Sequence, residues 1–282
     1  MAEWGLAIQG GGIRAAYAAG AVDALMENGQ FASICYGTSA GALIGANYSA
    51  RELGRTLAIM LKAMHDPRFV SLGHFLTKGN FFDFSWLFHD ATTLFPFNEE
   101  RFFHSSTDFY AVSTNCVSGE AIYWSKNDER FYDGLASSCS LPMFTKKPIM
   151  VHNVPCLDGG IVERIPFHKL LKDNVNPLVV VTTHPKGFRY GEISPIEKSI
   201  VKDRFKEYPV FVKCALQNHI LYNEHMKELE RLEDDGRAIV VWPSKEIDIG
   251  FFEWRKKKIM PLYELGKKDC EQLLDKIKKT VR

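Results

Sequence analysis

The sequence predicts an α/β fold built on a parallel sheet, and three observations carry that prediction. Two short apolar runs, Trp4-Gly5-Leu6-Ala7-Ile8-Gln9 and Ser33-Ile34-Cys35-Tyr36, each lead into glycine, as buried strands do. Each is followed by a small-residue stretch with apolar residues at helical spacing, residues 15–28 and 42–49. Strand, helix, strand, helix in this rhythm gives parallel strands joined by right-handed crossovers.

The remaining elements follow in order. Gly29 suits the stop of the first helix. Residues 69–103 hold Phe75, Phe81, Phe82, Phe84, Trp86, Phe88, Phe95, Phe97 and Phe102 with little helix or strand periodicity. That segment reads as a cap or loop region that either lines an apolar groove or is plain core. Residues 108–115 and 121–124 form a hairpin turning at Val117-Ser118-Gly119, and a short helix is expected over 132–139. Strands follow near 149–152 and 155–157, with two more buried strands at 178–182 and 238–242. Helices are expected over 210–233 and 262–281, and Met260-Pro261 suits the N-terminus of the second. That last helix carries Leu262, Leu265, Leu273, Leu274, Ile277 and Val281 on one side, which reads as a cover over the core. With Arg255-Lys256-Lys257-Lys258 ahead of it, docking on an anionic membrane surface is the second reading. With no repeat and no low-complexity linker, residues 1–282 are expected to form one domain. Its motif-bearing core spans about 5–185 and its C-terminal helical extension about 195–282.

Composition narrows the function classes. The chain is 46% hydrophobic and 24% charged with a net charge of +1, which argues against a dedicated nucleic-acid binder. The six cysteines are scattered without a paired or zinc-like spacing and read as reduced thiols. The start MAEWGLAIQGGG has neither a basic head nor an apolar run, and no stretch approaches the roughly 18 apolar residues of a membrane span. A cytoplasmic protein is expected, with peripheral contact at the inner membrane face left open. The oligomeric state is not legible.

The chemistry-bearing residues cluster after the first two strands. Gly10-Gly11-Gly12-Ile13-Arg14 fits part of a dinucleotide fingerprint, since Gly10, Gly12 and Ala15 match its small positions. That motif needs an acidic residue at the end of the second strand, where this chain has Tyr36-Gly37, so the dinucleotide reading fails. A phosphate loop of the Gly-Lys-Ser/Thr kind is also missing. The second strand delivers Gly37-Thr38-Ser39-Ala40-Gly41, a G-x-S-x-G on a strand-to-helix turn that lifts a serine hydroxyl clear of the sheet. Both turns lie at carboxyl ends of consecutive strands and should face one crevice. Ser39 is then the candidate nucleophile, and the amides of Gly10, Gly11 and Gly12 are the candidate oxyanion donors. Arg14 holds the loop, neutralises a substrate phosphate or is a plain surface arginine. The nine histidines share no motif, so the candidate base is Asp158 in Leu157-Asp158-Gly159-Gly160, a carboxylate at a strand end. A turn aspartate in a hairpin is the plainer reading of that residue alone.

Taken together, GGGIR, GTSAG, ASSCSLPMF and LDGG resemble the patatin-like phospholipase family, in order and spacing over about residues 5–185. The resemblance implies a three-layer α/β/α fold with a mainly parallel central sheet and a Ser–Asp dyad without histidine. It implies Ser39 as nucleophile, Asp158 as base and Gly10, Gly11 and Gly12 as the oxyanion loop, supported by Arg14, Gly37, Gly41, Gly159 and Gly160. Its chemistry is hydrolysis of acyl esters in phospholipids and other lipids, through an acyl-enzyme and without metal or organic cofactor. The compact length and the ending YNEHMKELERLEDDGRAIVVWPS are similar to the bacterial, cytoplasmic branch. Ala15 departs from the family loop, which reads GGGxRG, and a small geometric change is expected there. Two alternatives stay open: acyl transfer to another acceptor by the same dyad, and a lipid-binding or regulatory protein with little turnover.

Overall fold

The computed structural model describes residues 4–246, 248–250 and 253–281. In chain order the elements are β1 (Gly5–Ile8), α1 (Ala15–Glu27), β2 (Ile34–Thr38), α2 (Ala40–Ser49) and α3 (Arg55–Lys62). The aromatic segment holds three short helices, α4 (Leu72–Thr77), α5 (Phe84–Phe88) and α6 (Glu99–Phe103). Next come β3 (Asp108–Asn115), β4 (Ala121–Ser125), α7 (Phe131–Ser138), β5 (Ile149–Val151), β6 (Val154–Asp158), α8 (His168–Lys172) and β7 (Leu178–Val181). The chain closes with α9 (Pro195–Arg204), α10 (Pro209–Asp234), β8 (Ala238–Val241), α11 (Lys256–Glu271) and α12 (Leu274–Thr280).

The eight strands form one sheet in the order β5-β6-β3-β2-β1-β7-β8, with β4 pairing β3. From β3 to β8 the neighbours along this order are parallel, while β4 and β6 run antiparallel to β3. Because strand side chains alternate, each central strand feeds two cores. Leu6, Ile8, Val179, Val181, Ile239 and Val241 join one core with α1, α2 and α11. Ala7, Leu178, Val180, Ala238 and Val240 join the other with Tyr222, Met226, Leu229 and Leu232 of α10. This is the expected three-layer arrangement, and the strand at 238–241 makes the C-terminal region part of the sheet.

The crossing of α1 and α11 is set by glycine. A Cβ on Gly20 would lie 1.9 Å from the Tyr263 carbonyl oxygen, and one on Gly266 would lie 1.9 Å from the Tyr17 oxygen. The hydroxyl groups flanking that contact are paired in a reciprocal way. Tyr17 Oη donates to Asp269 at 3.1 Å, and Tyr263 Oη donates to Asp23 at 2.6 Å.

Three expectations are corrected here. Pro261 lies inside α11, which starts at Lys256, because burying Ile259 completely draws the preceding turn onto the core. The basic residues 255–258 are exposed around the start of that helix. The chain also breaks near Leu273, so residues 262–281 form parts of two helices. Their apolar side packs on the core, as the first reading had it. The segment 69–103 is more helical than its pattern suggests, and its short helices are held by caps at Ser71, Asp83 and Asn98. Among the described residues no helix is long and apolar enough to cross a membrane.

Candidate active site

Ser39 and Asp158 are brought together by the register of β3. Along one edge of β3, β2 runs parallel and ends with Thr38 opposite Val112, while β6 runs antiparallel and ends with Asp158 opposite Ser113. The carboxyl ends of the two strands therefore meet head-on at consecutive positions. Ser39 Oγ donates to Asp158 Oδ2 at 2.7 Å, and both residues are buried.

Each partner is held on its far side. Ser39 has φ 57° and ψ −128°, a strained conformation for a side chain with a Cβ, and α2 starts at the next residue. Its N–H donates to Ser138 Oγ at 2.9 Å, and that hydroxyl donates onward to the Val112 carbonyl at 2.6 Å. The hydroxyl of Thr38 donates to the Glu163 carbonyl at 2.7 Å. Asp158 Oδ1 accepts from the Gly160 N–H at 2.7 Å. Burial pushes the Asp158 carboxyl up to about 6, against the pull of the Ser39 hydroxyl, the Gly160 amide and the Arg164 charge. Among the described residues no histidine bonds to Ser39 or Asp158.

Gly37, Gly41 and Gly159 stand where backbone meets backbone. A Cβ would fall 2.4 Å from the Gly41 oxygen, 2.4 Å from the Ile8 oxygen and 2.2 Å from the Val112 oxygen, respectively. Gly10 is as confined, since a Cβ there would lie 2.8 Å from the Thr38 oxygen and 3.0 Å from Ser39 Cβ.

The three loop glycines are not equivalent. The Gly10 N–H donates to the Arg164 carbonyl at 3.1 Å, and its own carbonyl accepts from Thr183 Oγ1 at 3.2 Å. The N–H groups of Gly11 and Gly12 have no partner among the described residues. Gly12 has φ 54°, the left-handed region open to glycine. Ala15 has φ −64° and ψ −6°, ordinary right-handed geometry, so its methyl group brings no backbone cost to the start of α1.

Two cavities meet at Ser39, sharing Gly12 and Leu141 as well. One is a cleft of about 490 Å³ that includes Gly11, Arg14, Asp158, Arg164 and His219. Arg14 Nε is buried there without a partner among the described residues. Arg164 lies over the Tyr190 ring, 4.6 Å from its centroid. The other is an apolar slot of about 100 Å³ lined by Met60, Met64, Phe69, Phe82 and Phe84, so part of the aromatic segment does line a groove. A serine hydroxyl on a carboxylate, beside the Gly11 and Gly12 amides and between an apolar slot and a cleft that holds Arg14 and Arg164 together with Glu192 and Glu197, can attack an ester carbonyl and hold the resulting oxyanion.

Sequence reasoning missed the supports. Ser138 lies in the quoted ASSCSLPMF, whose internal roles the motif did not reveal. Gln9 is a polar residue ending an apolar strand, and it is fully buried. Its side chain accepts from the Thr183 N–H at 2.9 Å and donates to Tyr222 Oη at 3.2 Å, tying the loop to β7 and α10.

The chain has relatives among known proteins. Residues 208–282 match a domain of unknown function, DUF6363. None of the curated proteins matches the chain. Among solved structures, VipD from Legionella pneumophila is similar at 12% sequence identity with a TM-score of 0.46, over 98% of this chain and 67% of that one. Residues 6–171 match the family model described as patatin-like phospholipase, which is more than half of the chain. The protein belongs to the patatin-like phospholipase family.

Proposed function

We propose that the protein is a lipid acyl hydrolase that works through a Ser39–Asp158 dyad and an acyl-enzyme. The observation that carries this reading is the 2.7 Å hydrogen bond from Ser39 Oγ to a buried carboxylate, at a strained turn that shares its cavity with Gly11 and Gly12, whose amides have no partner among the described residues. Ser39 Oγ attacks the ester carbonyl as Asp158 takes its proton. The N–H groups of Gly11 and Gly12 receive the oxyanion, each contributing on the order of 3 kcal/mol. Gly10, whose N–H is already engaged, holds the loop against the elbow. Asp158 then gives the proton to the leaving alkoxide, takes one from water and so drives deacylation.

The two chambers supply a substrate orientation. The apolar slot takes the acyl chain, and the cleft takes the leaving group, where Arg14 and Arg164 favour an anionic one such as a phosphodiester. The test is release of fatty acid from vesicles of mixed phospholipids, analysed by product. Acid release by the native protein and none by Ser39→Ala supports the reading. Equal release by the two proteins rejects it.

A further inference from the structure

A second cluster lies behind the reaction centre, on the segment that follows β6. Glu163 is followed five residues later by His168 at the start of α8, and α10 brings His225 and Glu228 against them. His225 and Glu228 are three apart and so share one face of that helix. His168 Nδ1 is 2.9 Å from Glu163 Oε1, and its Nε2 is 3.0 Å from Glu228 Oε2. The two imidazole rings lie with centroids 4.1 Å apart. One ligand atom from each of Glu163, His168 and His225 lies within 4.8 Å of the others. His225 is 9% exposed, and its Nδ1 is buried without a partner among the described residues. Leaving such a buried polar group unpaired is costly.

We propose that Glu163, His168 and His225 bind a divalent transition metal of the zinc class, with Glu228 as the outer carboxylate that orients His168. Two imidazoles and one carboxylate are a borderline-soft donor set that suits zinc better than magnesium or calcium. With Nδ1 of His168 on the metal, its Nε2–H donates to Glu228, which fixes the tautomer in the carboxylate–histidine–metal pattern. The metal displaces the proton now shared between His168 and Glu163. Zinc bonds of about 2.1 Å in a tetrahedral set hold donors about 3.4 Å apart, so the 2.9 Å pair opens slightly while separations of up to 4.8 Å close. The half-exposed Glu228 side chain leaves an entry path from solvent.

The site also has a line to the reaction centre. The carbonyl of Glu163 accepts from Thr38 beside Ser39, and the carbonyl of Arg164 accepts from Gly10. A metal on the Glu163 side chain therefore fixes the segment that braces both the elbow and the glycine loop. Its role is to position, and it takes no part in the ester chemistry. The sequence alone expects no metal, because the ligands come from two segments about sixty residues apart.

The experiment is a zinc titration of the full-length protein, first stripped with chelator, followed by calorimetry and by thermal melting. The proposal expects one equivalent bound and a melting temperature that rises with zinc. It expects at least 100-fold weaker binding in His225→Ala and 10- to 100-fold weaker binding in Glu228→Gln. Cobalt in place of zinc should give a visible d–d band in the native protein that His225→Ala lacks. Should the buried substitution fail to fold, Glu228→Gln and His168→Gln at the cluster's open side carry the same comparison. No stoichiometric zinc uptake by the folded native protein, or uptake unchanged in Glu228→Gln and His168→Gln, overturns the site.

Discussion

Thr38 and Asp158 occupy consecutive positions along one edge of β3, opposite Val112 and Ser113, although they belong to strands running in opposite directions. That register places the Ser39 hydroxyl on the Asp158 carboxylate across 119 positions of sequence.

The acid limb of the rate profile should report Asp158. As a base it works only when ionised, so kcat/KM should rise with pH through about 6. The Arg164 charge pulls the carboxyl down, so Arg164→Gln should move that limb to higher pH. A pH–rate series on a soluble chromogenic ester measures both. An unchanged limb in the variant would show that Arg164 does not act on the base.

Asp158→Asn should abolish turnover by about 10³-fold or more while making the protein more stable at pH 8. The folded carboxyl is raised from 3.8 to about 6, so the folded state binds this proton more tightly than the unfolded chain. Its contribution to stability is complete below about 3.8 and is lost as pH rises through about 6. Asparagine has no such loss and keeps an oxygen for the Gly160 N–H. The gain is on the order of 1–3 kcal/mol, and it should shrink when melting is repeated near pH 4.5. A variant less stable than the native protein at both pH values would contradict this.

Ser138→Ala should lower kcat about tenfold with KM little changed. The substitution leaves the Ser39 N–H without its acceptor, a loss of about 1–2 kcal/mol, and frees the elbow to relax. Steady-state kinetics separate the two constants, and the conservative Ser138→Thr should recover part of kcat.

Gly20→Ala should destabilise by about 3 kcal/mol or more, or prevent folding. Its methyl group would sit 1.9 Å from a carbonyl of α11, and close-packed helices cannot yield that distance without separating. Denaturant unfolding checks it, and stability equal to that of the native protein would contradict it.

The sheet and the candidate site residues are legible because their signals are local. Glycine at the ends of short apolar runs marks strands 1 and 2, and GTSAG and LDGG mark the serine and the carboxylate. The supports were not legible, because they depend on what faces a residue from afar. Ser138 reads as one serine among several until β3 brings the Val112 carbonyl beneath it. Three neighbouring glycines look alike in sequence, yet Arg164 engages the amide of Gly10 and leaves those of Gly11 and Gly12. Pro261 reads as a helix start by its own chemistry, and the burial of Ile259 overrides it.

The most direct test of the dyad is mass spectrometry of the protein after reaction with a fluorophosphonate. The account predicts one covalent adduct, on the peptide that contains Ser39, with labelling strongly slowed in Asp158→Asn and absent in Ser39→Ala. An adduct on a different serine, or full ester turnover by Ser39→Ala, would contradict it.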